Sequence, residues 1–229
     1  MIELCVGTFN VAAGKQPDKE ILRQWIDEEE IDVLALQEVD EYTKRTPFSM
    51  SHELGLNHPY RYFSKAISFE SGDYGIALIS KFPFEKQGFR FFQSFGTESR
   101  LYQRVLLTID KKQIAVYHTH LSFESPDIRV NQVKQLLKEV NRETAEYIII
   151  LGDFNMDDSL DEWDLFKGYQ LVNGYKGEWH NTFVELDEKM KVFTIDNIIL
   201  SKNISIEEIS VKETQLSDHS LLKAKIRLL

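Results

Sequence analysis

The chain carries a single cysteine, Cys5, among 229 residues. One thiol excludes a disulfide framework and suits a reducing compartment. Within "IELCVGTF" it reads as a small buried apolar residue. Proline and glycine are scarce, 5 and 11, which excludes low-complexity and collagen-like classes. No apolar run approaches the ~20 residues of a membrane span, and no basic segment precedes an apolar one at the start. The expectation is a soluble, cytoplasmic protein. Positive charge is also short: Lys and Arg number 27 against 37 Asp and Glu, a net charge of −10. Proteins that grip nucleic acid through phosphate contacts carry a basic surplus. Nucleic acid is therefore possible but not favoured as a partner, because a bound divalent cation can supply local positive charge. No internal repeat is visible, which excludes solenoids and propellers.

What is present is a full core. At 42% hydrophobic residues the chain suits one large domain, taken as 1–229 and expected to act as a monomer. Apolar, strand-like runs recur at Ile2–Asn10, Val33–Gln37, Ile76–Ser80, Val105–Ile109, Ile114–His118, Tyr147–Leu151, Val192–Leu200 and Leu221–Leu228. Helical spacing falls between them. "PDKEILRQWIDEEE" sets Ile21, Leu22, Trp25 and Ile26 on one face, and "SPDIRVNQVKQLLKEV" does so with Ile128, Val133, Leu136, Leu137 and Val140. "LDEWDLF" is a candidate short third helix. The order mixes β-α-β crossovers with β-β neighbours. Two sheets packed face to face with helices outside fit it best.

Several of these runs end in a residue suited to metal or phosphate chemistry: Asn10, Glu38, His118 and His120, Asp153 and Asn155, and Asp218 with His219. Asp196 sits inside an apolar run, where an unpaired acid needs a partner. Strand ends are rigid yet reachable. Carboxylates gathered at one rim call for a cation, and oxygen and amide donors without cysteine suit hard Mg²⁺ or Mn²⁺. His118 and His120 are read as pointing to opposite faces, so that at most one reaches a given site. The stretch "FRFFQSFGTES" holds four phenylalanines, buried in an edge strand or free to stack on a base or a lipid. "GYKGEWHNTF" is either part of the substrate mouth or a surface loop.

The motifs "GTFNV", "LALQEVD", "YGIALISKFP", "VYHTHLS", "ILGDFN", "TIDNIIL" and "LSDHS", in this order, resemble the endonuclease/exonuclease/phosphatase family of metal-dependent phosphoesterases. The resemblance implies a four-layered α/β sandwich with two central mixed β-sheets flanked by helices. It implies Glu38 as principal metal ligand with Asn10 and Asp218 near the ion. Asp153 would orient or deprotonate the attacking water, and Asn155 would bond a phosphate oxygen. His219, oriented by Asp196, would contact the phosphate, and His120 takes the position of a family histidine. Arg104 resembles a phosphate-contacting arginine, and Arg45 of "QEVDEYTKRT" is a second. Glu70 and Asp73 are candidates for an acid partner of His120. The activity implied is hydrolysis of a phosphodiester or phosphomonoester, with a small or lipid-derived substrate favoured. A DNA or RNA nuclease is the alternative, and a catalytically inactive phospho-ligand binder is the alternative from another class.

Overall fold

The computed structural model describes residues 2–93, 96–157, 161–183 and 194–229. Strand β1 is Ile2–Asn10, followed by helix α1 at Lys19–Glu28 and β2 at Val33–Glu41. Helix α2 is Met50–Leu54, and the hairpin of β3 and β4 spans Tyr60–Phe69 and Gly72–Ser80. Then come β5 Lys86–Phe91, β6 Leu101–Ile109, β7 Lys112–His120, α3 Pro126–Val140 and β8 Tyr147–Asp153. The chain ends with β9 Gln170–Leu171, β10 Asp196–Leu200, β11 Ile204–Lys212 and β12 Leu221–Leu228. Two six-stranded sheets result, ordered β11-β12-β1-β2-β4-β3 and β5-β6-β7-β8-β10-β9. Each is mixed, with one parallel pair, β1 with β2 and β7 with β8.

Period two decides the layers. Ile2, Leu4 and Val6 of β1, Val33 and Ala35 of β2, Ile114 and Val116 of β7, and Ile149 and Leu151 of β8 meet in one core between the sheets. The alternate residues face outward. Leu34 and Leu36 pack with Leu22 and Ile26 of α1, while Ala115 and Ile150 pack with Val133 and Leu136 of α3. Helices thus cover both outer faces, as expected. Asp18 caps α1 by accepting from the N–H groups of Glu20 and Ile21, and Ser125 caps α3 with Pro126 in its first turn.

The eight expected strands are all found, most of them longer than their apolar runs. Val192 and Phe193 lie outside the described residues, and that strand begins at Asp196. The expected third helix is a 3-10 helix over Asp161–Phe166, with Leu160 outside the described residues. Strands β3, β5, β9 and β11 and helix α2 were not expected. Cys5, expected buried, is half-buried because it stands on the outer face of β1. Among the described residues, no helix is long and apolar enough to cross a membrane.

The core between the sheets is not wholly apolar. Gln37 of β2 donates to Thr8 Oγ1 (3.0 Å) and to His118 Nε2 (2.7 Å). His118 Nδ1 meets Gln103 Oε1 at 3.0 Å. The Gln103 amide nitrogen donates to Tyr62 O, Ser64 Oγ and Ile76 O back in the first sheet. That nitrogen being committed, its oxygen faces His118, so Nδ1 carries the proton and Nε2 accepts from Gln37. Burial pushes the His118 imidazole down to about 3.

Two expectations follow. A Cβ on Gly152 would lie 2.1 Å from the Thr119 carbonyl oxygen in the adjacent parallel strand. Gly152→Ala is expected to lower stability by about 2–3 kcal/mol, read from urea unfolding. His118 is neutral when folded and protonates near 6.5 when unfolded. Its stabilisation is therefore present above pH 6.5 and is lost as pH falls towards 3. The stability advantage of the wild type over His118→Gln should shrink by about 1 kcal/mol per pH unit below that point.

Candidate active site

The inward stripes change character at one rim. On β1 the series Ile2, Leu4, Val6, Thr8 ends in Asn10, and on β7 Ile114, Val116, His118 ends in His120. On β8 Tyr147, Ile149, Leu151 ends in Asp153, and on antiparallel β10 Leu200 and Ile198 lead to Asp196. Register puts Asp153 beside both His120 and Asp196. His219, just before β12, completes the cluster.

Glu38 reaches the rim by a different device. Counting from Val33, Ala35 and Gln37, it would point outward to the helices. A register shift between Leu36 and Val39 and a left-handed backbone at Glu38 (φ 56°) break the count. Val39 then joins Leu34 and Leu36 on the helix side, and Glu38 lines the cleft. Bulges commonly re-aim a side chain beside a functional site.

Asp153 is the hub. Its Oδ1 accepts the Asn155 N–H (2.9 Å), and its Oδ2 accepts from Asn10 Nδ2 (3.1 Å). His120 Nε2 lies 3.4 Å and His219 Nε2 3.7 Å from the same Oδ2. His219 Nδ1 is held by Asp196 Oδ2 at 2.8 Å. Asn155, left-handed at φ 52°, gives one amide N–H to Leu121 O (2.9 Å) and keeps a second. Asn10 Nδ2 also reaches Glu38 Oε1 at 3.3 Å, while its Oδ1 accepts the Ala12 N–H at 3.0 Å. That last bond fixes the amide: nitrogen, not oxygen, faces the carboxylates. Asn10, expected near the ion, braces Glu38 against Asp153 through this nitrogen.

Burial first, and then the Asp196 carboxylate, raise the Asp153 carboxyl above its usual range; His219, Asn10 and the Asn155 N–H pull it back. Burial alone would lower the His219 imidazole, but the Asp196, Asp153 and Asp218 carboxylates outweigh it and raise it. Burial, then Arg100 and His219, hold His120 well below its ordinary value. Near neutral pH the two histidines therefore differ: His219 is an imidazolium donor and His120 is neutral.

Glu38 and Asp218 line the same cleft, and burial, reinforced by Asp218, raises the Glu38 carboxyl. Two carboxylates in a part-buried cleft form an oxygen donor set that a hard cation would satisfy. Asp153, Asp196 and His219 also place one possible ligand atom each within 4.8 Å of one another. His219 is engaged there by Asp196 through Nδ1, so Glu38 and Asp218 fit a cation better.

Other expectations are corrected. His118 and His120 share a face, since positions two apart on a strand do; depth separates them, with His118 buried between the sheets and His120 at the rim. Arg104 is not brought to the cleft. It alternates with inward Gln103 and Val105, faces the α3 side, and forms a bidentate pair with Glu143 (2.9 and 3.0 Å). Arg45 is bidentate on Asp40 (2.6 and 3.0 Å), 4.5 Å over the Phe69 ring and 5.9 Å over that of cleft-lining Tyr74, and does not itself line the cleft. Asp73 pairs with Lys65 at 2.7 Å, and Glu70 is exposed in the β3–β4 turn. Within "GYKGEWHNTF" only Phe183 lines the cleft; Trp179 packs on Trp163 at 5.7 Å. Of the phenylalanine-rich stretch, Phe92 is buried, Phe89 and Phe91 form an exposed edge-to-face pair on β5, and Phe95 lies outside the described residues.

Sequence reasoning missed Arg100, Tyr74 and Phe123, all lining the cleft. Arg100 is buried, 3.3 Å from Glu98, and its Nε–H has no partner among the described residues. A countable signal existed. The β6–β7 hairpin turns at Asp110 and Lys111 and pairs Tyr102 with Thr119, so the residue two before Tyr102 falls beside the exit of β7.

No curated protein matches the chain by sequence. Among solved structures, an endonuclease/exonuclease/phosphatase from Bacteroides vulgatus is similar at TM-score 0.79 and 16% identity, covering 100% of both chains. The human Nocturnin catalytic domain with bound sulfate anion is similar at TM-score 0.78 and 18% identity, over 99% of this chain and 95% of that one. A mannosyl-6-phosphatase from Bacteroides thetaiotaomicron VPI-5482 reaches TM-score 0.74 at 16% identity, over 98% and 100%. At such identities the likeness is one of fold. The model of the Endonuclease/Exonuclease/phosphatase family, however, matches residues 7–219, nearly the whole sandwich and every rim residue described above. The chain belongs to the endonuclease/exonuclease/phosphatase family.

Proposed function

We propose that this protein is a divalent-metal-dependent phosphoesterase that hydrolyses a small phosphate ester by in-line attack of water. The observation that carries the reading is the convergence on Asp153 Oδ2 of Asn10, His120 and His219, with Glu38 bound to the same Asn10. Glu38 and Asp218 would hold Mg²⁺ or Mn²⁺, which when bound neutralises phosphoryl charge and polarises the P–O bond. Asp153, braced on both oxygens, accepts a hydrogen bond from the attacking water and takes its proton. His219, its Nδ1 anchored by Asp196, donates from Nε2 to a phosphoryl oxygen. The free Asn155 N–H and the Arg100 guanidinium bind further phosphoryl oxygens. His120, neutral, holds the Asp153 carboxylate in place from Nε2. We place the enzyme in the cytoplasm as a single-domain monomer.

A nuclease would use the same groups. The net charge of −10 supports the small substrate over a polyanion. The assembled rim counts against an inactive binder. A mannosyl-6-phosphatase and Nocturnin share the scaffold, so monoester and diester substrates both belong in the test.

Release of phosphate from a panel of nucleotides, sugar phosphates, inositol phosphates and phospholipids should require added Mg²⁺ or Mn²⁺ and stop with chelator. Asp153→Ala and His219→Ala should each lose roughly three orders of magnitude in kcat. Mn²⁺ binding by calorimetry should weaken in Glu38→Ala while Asp153→Ala still folds. Turnover without metal, or full activity in both variants, rejects the reading. Cutting of plasmid or single-stranded RNA at low salt in preference to the esters transfers it to a nuclease.

A further inference from the structure

The cleft has a catalytic end and a second wall. Phe123 forms part of that wall and is 65% exposed. Among the described large apolar residues that are exposed, it alone lines the cleft. An exposed phenylalanine by itself is ordinary. This one stands on a pinned loop. Ser122 N–H donates to Gln132 Oε1 (2.9 Å), Glu124 N–H donates to Ser122 Oγ (3.1 Å), and Arg129 Nη1 donates to Phe123 O (3.4 Å). The Glu124 carboxylate accepts the Thr97 N–H (2.9 Å) and hydroxyl (2.6 Å). The backbone holds the ring at the mouth, so ordering it on binding costs little. The loop leaves β7 directly after His120, and Asn155 Nδ2 is bonded to its Leu121 carbonyl. A phosphoryl group at Asp153 thus brings the rest of its substrate alongside Phe123.

We propose that Phe123 is the platform on which a planar aromatic part of the substrate, a nucleobase or an aryl group, stacks while its phosphoryl group sits at Asp153. This rests on the phosphoesterase reading above. A cleft that holds an exposed ring and a cation with an unpartnered N–H, Arg100, suits a flat π-system carrying a phosphate. A lipid headgroup approached from a bilayer would need a collar of exposed apolar side chains around the mouth; among the described lining residues Phe123 is exposed, while Tyr74 and Phe183 are half-buried. The net charge of −10 also opposes an anionic bilayer surface.

The test compares kcat/KM in Mg²⁺ or Mn²⁺ for adenosine 5′-phosphate with that for glycerol 3-phosphate and glucose 6-phosphate. In Phe123→Ala the nucleotide-to-alkyl ratio should fall about tenfold, the scale of one base–aromatic stack, and Phe123→Trp should restore it. An unchanged ratio in Phe123→Ala, or a fall shared equally by all three esters, overturns the proposal. If no ester is cleaved, the phosphoesterase reading fails separately. Stacking is then read by calorimetry of adenosine 5′-phosphate with metal: about tenfold weaker binding in Phe123→Ala supports it, and equal or absent binding overturns it.

Discussion

A neutral imidazole held between two glutamines joins the sheets one layer beneath the cleft. Gln37, His118 and Gln103 contribute bonds from both sheets, and the far end of the chain returns to Tyr62, Ser64 and Ile76. Apolar packing between sheets is strong but permits sliding, since it is nearly non-directional. Buried hydrogen bonds do not, because a slip leaves polar groups unpaired in a dry core. Gln37 is covalently next to Glu38, and His118 is two residues from His120. The clasp therefore sets the distance between the wall that bears Glu38 and the wall that bears His120 and Asp153. A cleft built by two separate sheets needs such a fixed register, and the polar interruption of the core supplies it.

Much of this was legible in the residues, for reasons that can be traced. Strands such as Ile114–His118 announce themselves because both faces are buried, one by the second sheet and one by a helix. β11, "ISIEEISVK", and β5, "KQGFRF", sit at sheet edges with mostly exposed or half-exposed residues, so their composition resembles loop. The strand-end residues Asn10, Asp153 and Asp196 were found because polar groups interrupt or terminate apolar stripes. Arg104 was carried over from the resemblance without a parity count, and Gln103, not Arg104, shares the inward stripe. The two histidines were misassigned by the same count. Glu38 shows the opposite failure. Parity would have pointed it outward, and only the bulge corrects it. Non-local pairs leave no local trace: Asp196 with His219 was expected through the family resemblance alone, and Asn10 with Asp153 was not expected.

The charge balance of the cleft follows from burial. Carboxylates at Glu38, Asp153, Asp196 and Asp218 meet two buried histidines and Arg100. Water is excluded from Asp153 and Asp196, so each takes a partner: Asp196 takes the His219 imidazolium, and Asp153 takes N–H groups. Glu38, with a 3.3 Å bond from Asn10, and Asp218, 3.7 Å from Lys15 Nζ, are held most loosely and have most to gain from a cation. Fixing Asn10 through Ala12 N–H keeps the Glu38 carboxylate from collapsing onto Asp153 and keeps its oxygens open to the cleft.

Rigidity is distributed accordingly. Left-handed backbone stands at Glu38 and Asn155, both in the cleft, and strain of that kind persists only where surrounding structure enforces it. At Glu38 the enforcement is the β2–β4 ladder on both sides of the bulge. At Asn155 it is the pair of bonds to Asp153 and Leu121. Gly152 adds the remaining condition. The carbonyl of Thr119 lies where its Cβ would be, so β7 and β8 close together immediately before they deliver His120 and Asp153 side by side. A larger residue there would part the strands at the level where His120 and Asp153 lie 3.4 Å apart. The identity of Gly152, a residue with no side chain of its own, is thus set by the close approach of the two strands that carry His120 and Asp153.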